Sequence, residues 1–144
     1  MNRAELEARI RDGIPLSKQM DFCVRSLSEN SITVSGGAEQ NLNVHGTAFA
    51  GSLYAVATLA AWGLVQSQLP ANADLVLAKG EIRYLKPVVG DIVAQCHIES
   101  EAFKAFLSAL QQKGKARLTA TATIPAANGN GAEFKGLLYA SIAS

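Results

Sequence analysis

The segment Asn43-Val44-His45-Gly46-Thr47-Ala48-Phe49-Ala50-Gly51 gathers small and polar residues at the mouth of a long uncharged run, and its chemistry is that of an open helix start. Backbone N–H groups in the first turn of a helix have no intrahelical partner, and with the helix dipole behind them they attract a carbonyl oxygen or an anion. Gly51 lets a ligand approach the backbone there, although a glycine serves close packing of helix on sheet equally well. Imidazole is the side chain best suited to proton transfer at neutral pH, so His45 is the best general base nearby, against the plainer reading of a solvated loop histidine. Asn43 can hold the entry loop or bond a ligand, and Tyr54 can present its hydroxyl to the same place; both can equally be structural. Ser52 stands in no recognisable nucleophile pattern with a His and an acid.

These residues depend on the element that follows them. No Asp, Glu, Lys or Arg occurs from Gln40 to Ala73, and the helix-like run Thr47 to Leu69 is apolar or small on every face. A surface helix shows water a charged side, so this one is enclosed by lipid or by protein. It is rich in Ala, Gly, Ser and Thr, and no Lys or Arg flanks it closely, so a membrane span is not expected. A sheet must wrap it instead, with Leu53, Val56, Leu59, Ala60, Leu64 and Val65 as contacts and Gly51, Gly63 and the alanines allowing backbone to come close.

A chain of 144 residues with 49% hydrophobic content is expected to form a single domain over residues 1–144. The net charge of +1, spread without basic runs, offers no footprint for nucleic acid. Met1 to Asp12 is charged and helical in pattern, without an apolar signal core, so the expected compartment is the cytoplasm. Cys23 and Cys96 fall in alternating strands with no second Cys or His at ligand spacing, which favours buried reduced thiols and no metal.

The rest reads as strands. Asp21 to Leu27 and Ser31 to Ser35 form a pair across the turn Ser28-Glu29-Asn30. Asp74 to Lys86 alternates with Gly80, Ile82 and Tyr84 on one face and Lys79, Glu81 and Arg83 on the other, before Pro87 and Gly90 turn the chain. Ile92, Ala94, Cys96 and Ile98 face inward on the next strand, which leaves His97 and Glu99 exposed. Ala116, Leu118, Ala120 and Ala122 do the same on the one after. Glu133 to Ile142 closes the set with Phe134, Leu138, Ala140 and Ile142 inward. Between the fourth and fifth strands, Ser100 can cap a helix with one apolar stripe, Phe103, Phe106, Leu107 and Leu110, ending at Gly114. That stripe is expected to pack across the outer surface of the sheet or on a partner subunit. The order is α+β: an antiparallel sheet curled around a long central helix, the hot-dog arrangement. Its open sheet edge predicts a homodimer or a dimer of dimers.

The pattern Gly46-Thr47-Ala48-Phe49, then Gly51-Ser52-Leu53-Tyr54 and Ala57-Thr58-Leu59-Ala60, resembles the thioesterase domain of the YiiD C-terminal type, over nearly the whole chain. Tyr84-Leu85-Lys86-Pro87 with Gly90-Asp91 is similar to a motif shared widely among hot-dog thioesterases. The resemblance implies an acyl thioester on coenzyme A or acyl carrier protein, no cofactor, and a thioester carbonyl held by the N–H groups of Ala50 and Gly51. Such amides stabilise the charge that forms on the carbonyl oxygen during hydrolysis. Against the phenylacetate-type thioesterases, Phe49 stands where they carry a histidine and Thr58 where they carry a catalytic carboxylate. A threonine hydroxyl orients a water but does not take its proton near neutral pH. His45 is then the first candidate base, and Asp21, in the region of the nucleophile or base of another hot-dog branch, the second. Thr58 and Asn43 are candidates to position water or substrate, and Phe49 and Tyr54 to face the acyl group. Arg83 and Lys86 are candidates to meet coenzyme A phosphates, with Lys79 a solvated neighbour. Because the carboxylate is replaced, a silent acyl-CoA or acyl-carrier binding module stands as the alternative to a hydrolase.

Overall fold

The structure is a computed structural model that describes residues 1–143; the expected domain bound at Ser144 lies outside the described residues. Helix α1 (Arg3–Gly13) begins with a capping box in which the Asn2 side chain accepts from the Glu5 N–H and Glu5 reciprocates. It runs into a short α2 (Pro15–Gln19), started by proline at the first helical position and not anticipated from the sequence. Strands β1 (Cys23–Leu27) and β2 (Ser31–Gly36) follow, then the central α3 (Ala50–Gln66), β3 (Ala73–Tyr84), β4 (Ile92–His97), α4 (Ser100–Lys113), β5 (Lys115–Ala126) and β6 (Gly129–Ile142). All pairings are antiparallel, and the six-stranded sheet has the order β1-β2-β4-β5-β6-β3. This is the α+β hot-dog architecture, with α3 lying in the curl of the sheet against β2, β3, β4, β5 and β6.

The helix packs as its composition dictates. Val56, Ala57, Ala60, Ala61, Leu64 and Val65 are fully buried, and each buried Val or Leu contributes about 1.5–3 kcal/mol. One stripe departs from all-round burial: Tyr54, Ala55, Thr58 and Trp62 are half-buried along the side that meets β3. Gly63 proves less demanding than expected, since a Cβ there would meet Ile32, Ile10 and Leu6 at 3.4–3.6 Å, ordinary contact distances.

Helix α4 corrects another expectation. Phe103, Phe106 and Leu110 are buried in the same core as α3, while Arg117, Thr119 and Thr121 on the outer face of β5 remain exposed. The helix therefore covers the inner face of its own sheet beyond the reach of α3, because three large apolar side chains gain more by joining an existing core. Its N-cap is Glu99 with no side-chain cap; Ser100 is already helical, and Gly114 ends the helix at φ 75°. Strand β3 also departs from simple alternation. A bulge between Leu77 and Lys79 switches the inward set from Ala73, Leu75 and Leu77 to Gly80, Ile82 and Tyr84.

The two sheet edges differ. Edge strand β1 is covered by α1 side chains: Arg11 donates to the Phe22 carbonyl at 2.6 Å, Arg3 to the Val24 carbonyl at 2.9 Å, and the Val24 N–H donates to Glu7 at 2.8 Å. Edge strand β3 is 12 residues long, with Val76 exposed. Trp62 Nε1 donates to its Leu75 carbonyl at 2.9 Å. Among the described residues no helix is long and apolar enough to cross a membrane.

Candidate active site at the start of the central helix

The loop into α3 is held by two asparagines. Asn41 is buried, and its Nδ2 donates to the carbonyls of Gly37 at 2.7 Å and Met20 at 2.9 Å while its backbone carbonyl accepts from the Phe49 N–H at 2.8 Å. It ties the helix entry to the turn before β1. Asn43 closes the next turn: its Oδ1 accepts from the N–H groups of His45 at 2.8 Å and Thr47 at 3.2 Å, and its Nδ2 donates to Thr47 Oγ1 at 2.8 Å and the Ala48 carbonyl at 3.2 Å. This is side-chain turn chemistry, and it occupies both ends of the amide. Gly46 supplies the positive φ of 77° that the turn needs.

The helix then begins without a cap. Phe49 is the N-cap residue and has no side-chain acceptor, so the N–H groups of Ala50, Gly51 and Ser52 have no hydrogen-bond partner among the described residues. Ala50 and Gly51 are exposed. The Phe49 ring folds back on this turn, and a Cβ on Gly51 would lie 2.6 Å from a ring carbon. Close approach of that ring requires the glycine, which differs from the helix-on-sheet contact considered from sequence. Tyr84, at the end of β3, donates its hydroxyl to the Ala50 carbonyl at 2.9 Å; desolvation, and then the neighbouring Tyr54, push its pKa above the usual tyrosine value. Exposed apolar side chains stand beside the open amides at Phe49 and Tyr84, with Leu42, Val44, Leu85 and Val89 exposed in the segments before α3 and after β3.

One turn further along α3, the Tyr54 ring meets Phe134 edge to face, with centroids 5.3 Å apart at 88°, and its hydroxyl lies over Gly80, where a Cβ would overlap it. Thr58 follows. Its Oγ1 is the buried side-chain polar atom left without a hydrogen-bond partner among the described residues.

The remaining candidates spread out. His45 is exposed at the tip of the Asn43 turn. Asp21 sits at φ 52° in the turn before β1, its carboxylate beside Gly37, where a built Cβ would be 2.8 Å from Oδ2. Arg83 lies on the outer face in a concavity of about 430 Å³ with Glu81, Thr121, Thr123, Glu133 and Lys135. Lys86 lies past the end of β3, and its Nζ donates to the Asn128 carbonyl in the β5–β6 hairpin. Glu81, Glu133 and the cation Lys135 share the concavity with Arg83, and Lys86 is engaged by a neutral carbonyl. Thus Asn43, Phe49, Ala50 and Gly51 lie at the helix start, Tyr54 and Thr58 follow one and two turns along α3, Asp21 lies in the turn that Asn41 ties to the entry, and Arg83 and Lys86 lie on and beyond β3.

Sequence reasoning passed over Asn41, whose importance arises from burial against residues distant in the chain, and Phe134 as the partner of Tyr54. It also missed Ser31, whose Oγ is 2.8 Å from His97 Nδ1, while His97 Nε2 is 3.6 Å from Glu99. Register pairs Ser31 with His97 across β2 and β4, a contact that no local spacing reveals. Among the described residues no three His, Cys, Asp or Glu side chains gather as metal ligands.

A sheet curled on an uncharged helix whose first amides lie open defines the hot-dog class to which many thioesterases belong. The chain belongs to the family described as "Putative thioesterase (yiiD_Cterm)", whose model matches residues 3–142. Among solved structures it is similar to a thioesterase, itself described as putative, from Shewanella oneidensis, at 31% identity, TM-score 0.85, and coverage of 98% of this chain and 97% of that one. A protein of unknown function from Chlorobaculum tepidum TLS is similar at 27% identity and TM-score 0.90, covering 98% and 94%. A thioesterase from Haemophilus influenzae shares the fold at 11% identity and TM-score 0.76, covering 99% and 92%.

Proposed function

We propose that the protein hydrolyses an acyl thioester carried on coenzyme A or acyl carrier protein. The observation that carries this is the uncapped start of α3, where the exposed Ala50 and Gly51 have unpartnered amides beside the apolar rings of Phe49 and Tyr84. Water adds to the thioester carbon, negative charge moves onto the carbonyl oxygen, and these N–H groups with the helix dipole hold it. The tetrahedral adduct then collapses and expels the thiolate. His45 takes the proton of the attacking water, with Asp21 the second candidate for that step. Thr58 offers an unpartnered hydroxyl to a ligand or water that reaches it. Asn43 shapes the entry turn, Phe49 and Tyr54 face the acyl group, and Arg83 and Lys86 meet phosphates of the carrier.

The site is completed by a second copy of the chain. Strand β1 is covered by α1, whereas β3 presents a long edge with exposed Val76 beside the half-buried stripe of α3. A long edge with only the Leu75 carbonyl covered is a template for strand pairing, so two β3 strands meet and bring two helix starts to a common interface. The expected setting is the cytoplasm.

A second reading, a silent acyl-CoA or acyl-carrier binding module, draws on Thr58, which puts a buried hydroxyl where a carboxylate base would be needed. Release of free thiol from a panel of acyl-CoA thioesters separates the two. The hydrolase reading expects release above the uncatalysed background and a loss of about a hundredfold in kcat for His45→Gln, with KM little changed. Binding without thiol release establishes the module instead, and an unchanged kcat in His45→Gln removes His45 from the mechanism.

A further inference from the structure

The inner face of the sheet has a bare row directly below the first turns of α3. Gly80 of β3 is the cross-strand partner of Gly136 of β6, and Gly136 is the partner of Ala120 of β5, so three neighbouring strands present a single methyl group between them. The adjacent row, by contrast, carries Ile82, Phe134 and Ala122. Two aromatic rings fill the gap. The Phe134 ring leans over Gly136, where a Cβ would sit 2.8 Å from it, and the Tyr54 ring descends from α3 with its hydroxyl over Gly80. Their edge-to-face contact locks both, since neither ring turns without displacing the other.

Tyr54 stands four residues after Ala50, hence on the same side of the helix and about 6 Å along its axis. A ligand held by the Ala50 and Gly51 amides and extending along the seam between α3 and β3 meets the Tyr54 ring after that short distance. Beyond the ring the seam continues past Thr58 to Trp62, whose indole is tied to the Leu75 carbonyl.

Resting on the thioester-hydrolase reading, we propose that this seam receives the acyl group and that Tyr54, seated on the Gly80–Gly136 pair, is its end wall, which restricts the protein to short acyl chains. The length between the amides and the ring suits a few methylene groups and not a fatty chain. Removing the ring opens the bare row beneath it, so longer chains enter.

The test uses ketone analogues in which a methylene separates the carbonyl from the sulfur. These bind but are not hydrolysed, and they are built with short, medium and long alkyl tails on coenzyme A and, in parallel, on pantetheine, the arm common to coenzyme A and carrier protein. Affinity is measured by calorimetry for the whole chain and its variants. In wild type and Tyr54→Phe the affinity is expected to rise about fourfold per methylene for the first few and then stop, as burial of each methylene predicts until the wall is reached. In Tyr54→Ala the rise continues, and the ratio of long-tail to short-tail affinity increases at least about tenfold over wild type. Tyr54→Leu, which keeps the core filled, moves the break in the same direction by fewer methylenes and serves where the alanine variant does not fold. A wild-type affinity that climbs steadily to the longest tail, or a break at the same length in wild type and in both Tyr54→Ala and Tyr54→Leu, overturns the proposal. Absence of binding by any analogue overturns it together with the hydrolase reading. A length break accompanied by no thiol release from the matching thioesters leaves the wall in place and sinks hydrolysis alone.

Discussion

Cys96 shows how one inward side chain ties the core to solution chemistry. It is buried on β4, and desolvation pushes its thiol from an ordinary 9.0 up to about 12, because the thiolate has no compensating partner there. A group whose folded pKa lies above its unfolded value contributes stability that is complete below the unfolded value and lost as pH rises through the folded one. Folding stability is therefore expected to fall between pH 9 and about 12, at up to about 1.4 kcal/mol per pH unit from this residue. Urea unfolding across that range checks it: Cys96→Ala should decline less steeply than wild type, and parallel curves for the two proteins contradict the assignment. Burial of Cys96 was legible from the alternation of Ile92, Ala94, Cys96 and Ile98. The seclusion of the Thr58 hydroxyl was not, because position on the helix says which side it faces but not whether a carbonyl or another donor waits there.

At the scale of elements, the open start of α3 is maintained by what precedes it. Asn41 spans the loop, β1's entry and the helix N-cap with three hydrogen bonds, all to groups that a buried site cannot leave unpaired. Asn41→Asp replaces two donors with acceptors facing two carbonyls and adds a charge at a buried position. It is expected to destabilise the fold by about 3 kcal/mol, read as a lower urea midpoint at unchanged slope. A midpoint within experimental scatter of wild type shows that the loop is held by other contacts. The helix itself, β2, β4, β5 and β6 were readable because their period of apolar residues survives in the fold. The bulge in β3 was not, since either side of Ala78 alternates correctly by itself and only pairing with β6 reveals the extra residue. The destination of α4 escaped for a related reason: its stripe shows that it packs, while the unfilled end of the inner sheet face decides where.

For the whole molecule, the difference between the edges carries the argument for assembly. With β1 covered at Phe22 and Val24 by Arg3, Glu7 and Arg11, and β3 covered only at the Leu75 carbonyl by Trp62, a second copy is expected to dock at β3. Wild type is expected to sediment as a dimer or a dimer of dimers at micromolar concentration. Val76→Glu, which places two like charges near the shared edge, shifts it toward monomer and lowers thiol release with it. A monomeric wild type, or a Val76→Glu protein that remains fully assembled and active, refutes the shared site.

The uncharged stretch from Gln40 to Ala73, the two-residue alternation around it and the breaks between strands were enough to determine a helix enclosed by antiparallel strands and a glycine-containing polar entry at its start, because burial patterns are written locally in residue type. Which side chains meet at that entry was decided only in three dimensions. Tyr84 reaches Ala50 from the far end of β3, Tyr54 rests on a glycine pair contributed by two strands, and Asn41 joins segments twenty-one residues apart. Such contacts follow from register and packing, which depend on all the elements at once.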